Sequence, residues 1–75
     1  MLRNRLLDIR YEYKMTQKKF AAFLGMSQQQ YNRYETQVNQ PNLETALKIS
    51  YKIGIPVNDF IYIIQKEDER GKGAQ

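Results

Sequence analysis

The strongest constraint on the fold is a pair of helix-start signals close together in the first half of the chain. Thr16 and Ser27 each precede a helical pattern, and their side-chain oxygens can accept hydrogen bonds from the free amides of a first helical turn. Gly25 lies between them, and glycine favours the left-handed conformation that ends a helix. The signals predict a helix from Gln17 and another over Gln28–Tyr34. Two capped helices with so short a break indicate a helix-turn-helix.

The spacing of apolar residues predicts three more helices. Helix one is expected from about Leu2 to Lys14, helix four between Asn42 and Gly54, and helix five from Val57 to Gln65. Helix four is expected to turn five residues towards the core: Leu43, Ala46, Leu47, Ser50 and Ile53. The predicted fold class is all-α, a compact five-helix domain over residues 1–65 followed by a charged, flexible tail over residues 66–75.

Composition limits the functions open to such a chain. At 75 residues with no cysteine and no histidine, it offers no thiol nucleophile, imidazole base or usual zinc ligand. The eight carboxylates are scattered, so we predict no enzyme activity, no cofactor, no metal and no small-molecule substrate. No apolar run approaches the roughly 20 residues of a membrane span, and the charged start differs from a signal peptide. We therefore expect a cytoplasmic protein.

Positive charge is concentrated in the half that carries the helix-turn-helix. The chain has 12 basic and 8 acidic residues, a net charge of +4, and most of the excess lies between Arg3 and Arg33. A solvated basic surface and a surface that faces phosphate groups are both consistent with this distribution.

Helix three divides into two sides at 100° per residue. Tyr31 and Tyr34 fall on one side and are expected to pack, with Gln30 assigned to the cap. The other side carries Gln28, Gln29, Asn32 and Arg33. This second side is either an ordinary polar helix surface or a surface that reads DNA. It has no acidic residue, and Gln, Asn and Arg are the types that pair with base edges.

A longer series of residues resembles a known family. The series comprises Arg10, Phe20-Ala21, Leu24-Gly25-Met26, Tyr31, Tyr34-Glu35 and Pro41-Asn42-Leu43. Over residues 2–62 it resembles the Cro/repressor helix-turn-helix family of phage and bacterial regulators. The resemblance implies a lambda-repressor-like domain that binds double-stranded DNA sequence-specifically, as a transcriptional repressor encoded by a bacterium or phage. It also implies a homodimer on a palindromic operator. The Gln28-Gln29 pair is similar to the pair with which some lambdoid phage repressors touch base edges.

The resemblance assigns two further roles. It implies an ion pair between Arg10 and Glu35, although Arg10 could also be solvated or meet a phosphate. DNA backbone contacts are expected from the start of helix two and from the loop after helix three: Gln17, Lys18, Lys19, Gln37, Asn39 and Gln40. The loop departs from the family because Gln37 stands where a glycine is usual, and we expect Asn39 to take the left-handed conformation.

Helix five carries more apolar residues than one buried side can use. Tyr62 and Ile63 point away from its main apolar side, so they are expected to be buried either under the tail or against another subunit. The family resemblance favours the second arrangement, a dimer interface at these two residues. The alternative function is a protein-interaction or antitoxin-like regulatory module on the same scaffold. That module would bind DNA weakly and would assemble independently of salt.

Overall fold

The described part of the protein forms five helices and one small antiparallel sheet. The computed structural model describes residues 1–64. Its elements, in chain order, are β1 Leu2–Asn4, α1 Leu6–Tyr13, α2 Gln17–Leu24, α3 Gln28–Glu35, α4 Leu43–Ile53, α5 Val57–Phe60 and β2 Ile61–Ile63. The five helices and the helix-turn-helix are confirmed, but the all-α prediction is wrong because of the sheet. The predicted tail, residues 66–75, lies outside the described residues.

The two strands replace the predicted outer ends of helices one and five. Strand β1 pairs with β2 so that Leu2 faces Ile63 and Asn4 faces Ile61. Helix α1 therefore begins at Leu6 rather than near Leu2, and α5 ends at Phe60 rather than at Gln65. The isoleucines of β2 favour extended backbone, because β-branched side chains lose rotamer freedom in a helix.

The Asn4 side chain contacts the start of the first helix. Its side-chain Oδ1 accepts a hydrogen bond from the Leu6 backbone amide at 3.0 Å, which satisfies one of the free amides at the helix start. The Arg5 amide donates to the Phe60 carbonyl at 2.8 Å. The last residue of β1 and the residue after it thus hold the start of α1 beside the end of α5.

The core lies between the helix-turn-helix and the helices on either side of it. Its largest fully buried side chains are Leu6, Phe20, Tyr31, Ile49 and Phe60. The rings of Phe20 and Tyr31 meet edge to face with centroids 5.4 Å apart, which joins α2 to α3 directly. Each such apolar side chain stabilises the fold by about 1.5–3 kcal/mol relative to an exposed one. The relative position of α2 and α3 is therefore set by packing rather than by the turn alone.

Helix α4 is rotated relative to the prediction from sequence. Ala46, Ile49 and Ile53 are buried, whereas Leu43 and Leu47 are 72% and 54% exposed. The helix carries apolar residues on two adjacent sides, and the side with Ile49 and Ile53 packs in the core. The prediction that Leu43 and Leu47 face the core is therefore wrong. Within residues 1–64, no helix has the length and apolar character needed to span a membrane.

Candidate nucleic-acid interface

Helices α2 and α3 are joined by a tight turn with a cap at each helix start. Thr16 Oγ1 accepts from the Lys19 amide and Ser27 Oγ accepts from the Gln30 amide, both at 3.1 Å. Gly25 ends α2 with φ of 82°, a backbone conformation that costs glycine little. The Met26 amide then donates back to the Ala21 carbonyl at 3.0 Å. These local bonds confirm the predicted helix starts and hold the two helices at a fixed angle.

Helix α3 buries one side and exposes the other. Tyr31 and Tyr34 are buried, and the Tyr31 hydroxyl donates to the Leu6 carbonyl at 3.4 Å. Burial raises the pKa of the Tyr31 hydroxyl, and the nearby Glu35 carboxylate adds to the effect. The Gln30 side chain, assigned to the cap from the sequence, donates instead to the Tyr34 hydroxyl at 3.0 Å. The cap bond at the start of α3 runs from the Gln30 backbone amide to Ser27 Oγ.

The exposed side of α3 forms a continuous groove with the start of α2. This reading groove has a volume of about 410 Å³, and it is lined by Gln17, Gln28, Gln29, Asn32 and Arg33. The four residues predicted to contact bases thus lie together, and Gln17 joins them from α2. The side chains that line the reading groove are amides and one guanidinium, which offer donors and acceptors suited to base edges and phosphates.

An ion pair lies beneath the reading groove. Arg10 donates from two nitrogens to Glu35 Oε1, each at 2.8 Å. The Glu35 side chain is 4% exposed and that of Arg10 is 15% exposed. The hydrogen bond to Glu35 raises the pKa of the Arg10 guanidinium. Arg10 also donates to the Met15 carbonyl at 3.0 Å, so the pair ties α1 to the end of α3 and to the start of α2.

The ion pair continues outward through two glutamines to the groove. Gln17 donates from Nε2 to Glu35 Oε2 at 2.7 Å, and its Oε1 accepts from Gln28 Nε2 at 3.2 Å. Because the carboxylate can only accept, it fixes which end of the Gln17 amide faces Gln28. The sequence identified all of these residues but did not reveal the Gln17 to Glu35 bond, which joins residues from two helices.

Three predicted backbone-contacting residues are exposed near the groove. Lys18 and Lys19 lie in the first turn of α2, which contains no acidic residue. Asn39 lines a second concavity of about 310 Å³ with Gln29 and Arg33. Lys18 and Lys19 thus directly follow Gln17, which lines the reading groove, and Asn39 shares its concavity with two residues of that groove.

The other two loop residues predicted to contact the backbone turn inward. Gln37 has φ of 68°, so the left-handed position predicted for Asn39 belongs to Gln37 instead. Its side chain accepts from the Asn4 amide at 3.1 Å and donates to the Asn4 carbonyl at 2.9 Å.

The Asn4 side chain completes this amide cluster. Its Nδ2 donates to the Tyr34 carbonyl and to Gln40 Oε1, both at 2.8 Å, while Gln40 Nε2 donates to Gln37 Oε1 at 2.9 Å. The cluster fixes the loop after α3 against β1. The sequence gives no local signal for it, because Asn4 and Gln37 are far apart in the chain.

Tyr62 and Ile63, the residues predicted at a dimer interface, occupy opposite sides of β2. The Arg5 guanidinium lies 4.6 Å from the centre of the Tyr62 ring, an arrangement typical of a cation–π contact. Ile63 is 62% exposed, and its cross-strand neighbour Leu2 is 45% exposed. The exposed apolar surface of the sheet is therefore the pair Leu2 and Ile63.

Comparison with known proteins agrees with this geometry. A family model described as helix-turn-helix matches residues 6–60, which span α1 to α5. No curated protein matches the sequence. Among residues 1–64, no three His, Cys, Asp or Glu side chains come together as a metal-binding group.

Proposed function

The chain belongs to the Cro/repressor-type helix-turn-helix family of DNA-binding regulators, and on this basis we propose that it is a sequence-specific transcriptional repressor. In this proposal α3 enters the major groove of double-stranded DNA and the amino-terminal residues of α3 contact base edges. The single observation that carries the proposal is the reading groove, where four polar side chains of α3 and Gln17 lie side by side without a carboxylate.

The orientation of Gln28 supports recognition of adenine. One hydrogen of Gln28 Nε2 is donated to Gln17, which leaves the second hydrogen and the carbonyl oxygen for a base. Adenine presents an acceptor at N7 and a donor at N6, so the Gln28 amide can bond both. Because Gln17 is itself held by Glu35, this orientation exists before DNA binds. Preorganisation of this kind lowers the entropy lost on binding.

Positions around the groove support contacts with the DNA backbone. Lys18 and Lys19 bring positive charge to the start of α2, where free amides also favour a phosphate. Gln17 and Asn39 add neutral donors from α2 and from the loop. The side chains of Gln37 and Gln40 are bonded within the amide cluster, so they contribute by shaping the loop. With only two lysines and Arg33 as cationic contacts, the salt dependence of binding should be shallow.

The exposed apolar pair of the sheet supports our proposal of a homodimer on a palindromic operator. Leu2 and Ile63 lie side by side at the end of the molecule formed by β1 and β2, and Tyr62 flanks them on the other side of the strand. A second copy on this surface would bury the pair around a two-fold axis. Two α3 helices would then meet half-sites about one helical turn, or roughly 34 Å, apart.

The alternative is an interaction or antitoxin-like module with weak DNA binding. The observation that favours it is the amount of exposed apolar surface outside the reading groove, at Leu43, Tyr51 and Ile63. The two functions differ in their response to salt. DNA binding weakens as salt rises because counterions compete for phosphates, whereas apolar assembly does not weaken in that way.

Selection of bound duplexes from a random DNA pool tests the proposal. We expect the wild-type protein to enrich a palindrome, and Gln28→Ala and Gln29→Ala each to lose preference at defined base pairs while still binding. Asn58→Ala is the matched control, because Asn58 is an exposed amide on α5 away from the groove. An unenriched pool, with binding no stronger than to unrelated DNA, would refute sequence-specific recognition and leave the interaction module.

A further inference from the structure

The outer edge of β2 carries backbone groups that point away from the small sheet. Met1 and Ile64 exchange two backbone hydrogen bonds, of 2.8 and 3.2 Å, and pairs of this kind alternate along an antiparallel ladder with pairs whose backbone groups point outward. Leu2 and Ile63 form the next pair, so the N–H and C=O of Ile63 face away from β1. Neither group bonds to any residue of the described chain. An extended segment beside β2 can therefore bond to both.

The opposite edge of the sheet is partly covered by a side chain. Gln37 accepts from the Asn4 amide and donates to the Asn4 carbonyl, which are the two bonds that a neighbouring strand would make. Its side chain thus occupies the path of a strand added to β1, and side chains placed in this way prevent further pairing. On β2 the Ile61 amide donates to the Val57 carbonyl, but Ile63 keeps both of its groups. The more open edge is that of β2.

The two sides of the sheet differ in chemistry, because successive side chains of a strand point to opposite sides. One side presents Leu2 and Ile63, which are 45% and 62% exposed. The other side presents Arg3 and its cross-strand partner Tyr62, and the Arg5 guanidinium lies 4.6 Å from the centre of the Tyr62 ring. A residue added beside Ile63 therefore meets an apolar side, and a residue added beside Tyr62 meets a cationic side.

The cationic side of the sheet has no carboxylate bound to it among residues 1–64. Both salt bridges of that part of the chain lie elsewhere, beneath the reading groove and on α4. The buried Nε of Arg3 also has no hydrogen-bond partner there. The contact with Tyr62 holds the Arg5 guanidinium above β2, so an anionic side chain beside Tyr62 would lie next to a cation that is already in place.

We propose that the open edge of β2 binds an extended segment of another protein in which branched aliphatic and acidic residues alternate. The segment pairs with the backbone of Ile63 and adds a third strand to the sheet, so that backbone bonds give affinity and alternate side chains give specificity. Its apolar residues continue the surface of Leu2 and Ile63, and its carboxylates lie beside Tyr62 within reach of Arg5. The inference goes beyond the proposed function and does not depend on DNA binding.

A second copy of this chain fits the edge less well than an acidic segment does. A two-fold axis would set β2 antiparallel to β2 of the second copy. The arginines of both copies would then lie on one side of the joined sheet, and neither β1 nor β2 contains an acidic residue to separate them. Like charges placed together weaken strand pairing, whereas a strand that carries glutamates neutralises them.

Fluorescence anisotropy of the full chain with a labelled synthetic peptide of alternating valine and glutamate measures the proposed contact. We expect saturable binding, which Arg5→Glu weakens at least about threefold because it reverses one exposed charge contact. Lys48→Glu is the matched control, since it makes the same change in net charge at an exposed position of α4 and should bind as the wild type does. Absence of binding, equal binding of a peptide of alternating valine and lysine, or equal weakening by both substitutions would overturn the proposal.

A proline at the edge tests the backbone pairing separately from the charges. Ile63→Pro removes the outward N–H and no bond within the sheet, and it should weaken peptide binding at least about fivefold. Ile63→Val keeps the amide and is the control. A peptide methylated at its valine nitrogens removes the complementary donors without any change to the protein, and it should bind as weakly. Full binding of the methylated peptide would refute strand addition.

Amide hydrogen exchange shows whether the edge is free before peptide is added. The Ile63 amide should exchange fast in the dilute protein and slowly with the valine–glutamate peptide bound. The Tyr62 amide, whose pair with Arg3 lies inside the ladder, should be protected in both states. Slow exchange of Ile63 in the dilute protein would assign the edge to another part of the chain, and protection that appears only with rising protein concentration would assign it to a second copy; either result would contradict the proposal.

Discussion

Breaking the ion pair beneath the reading groove should have a large effect on stability. In Arg10→Met the Glu35 carboxylate, 4% exposed, would keep only the hydrogen bond from Gln17. A buried carboxylate that loses its cation typically costs about 3–5 kcal/mol. A domain of 75 residues has a total free energy of unfolding of about 4–11 kcal/mol. The melting temperature should therefore fall by about 12–40 °C.

The coupling free energy between Arg10 and Glu35 can be measured with a double-mutant cycle. Glu35→Gln removes the buried negative charge and should cost about 1.5–3 kcal/mol through its weakened hydrogen bonds. The double variant has neither charge, so its loss should be smaller than the sum of the single losses by at least about 2 kcal/mol. Urea unfolding followed by far-ultraviolet circular dichroism gives each free energy.

An exposed pair on α4 provides the matched control. Glu44 and Lys48 are 3.3 Å apart, but their side chains are 79% and 72% exposed. The corresponding variants Glu44→Gln and Lys48→Met should couple by no more than about 0.5 kcal/mol. If the losses at Arg10 and Glu35 also add within about 0.5 kcal/mol, the reasoning from burial is refuted.

Three further predictions concern other parts of the fold. Burial raises the pKa of Tyr31 above its ordinary value of 10.0, so the unfolded chain loses the hydroxyl proton at a lower pH than the folded chain does. The free energy of unfolding should therefore fall above pH 10 by up to about 1.4 kcal/mol per pH unit. Tyr31→Phe should remove this decrease in urea titrations at different pH values, and an unchanged pH dependence in the variant would contradict the prediction. Gly25→Ala places a side chain at φ of 82° where no other atom lies within 4 Å, so we expect a loss of about 1 kcal/mol from backbone strain alone, and a neutral result in thermal unfolding would count against it. Asn4→Ala removes the side-chain bonds to the Leu6 amide, the Tyr34 carbonyl and Gln40, while the Tyr34 carbonyl keeps the bond from the Gln37 amide. The loss should be about 1–3 kcal/mol, and a loss below about 0.5 kcal/mol in urea unfolding would argue against the amide cluster as a structural element.

Local signals in the sequence were sufficient for the helix-turn-helix. Thr16, Ser27 and Asn42 each accept a hydrogen bond from the first turn of a helix, and Gly25 and Gly54 each end one in the left-handed conformation. These interactions involve residues close in the chain, so the side-chain types alone indicate them. The division of α3 into a buried and an exposed side follows from helical geometry in the same way.

Features that depend on distant residues could not be predicted. Leu2 fits a helical stripe as well as it fits a strand, and its pairing with Ile63 depends on a residue at the other end of the domain. Short strands also lack the alternation that would identify them alone. Helix α4 has two adjacent apolar sides, and only the position of the neighbouring helices decides that Ile49 is buried and Leu47 is exposed.

The coupling between Gln28 and one base pair tests the central claim most directly. The dissociation constant of the selected duplex and of a duplex changed at a single half-site position would be measured for the wild type and for Gln28→Ala. We predict that the substitution weakens binding to the selected duplex about 5- to 150-fold and removes the discrimination at that position while other positions keep theirs. Equal weakening on both duplexes at every position would contradict base reading by α3.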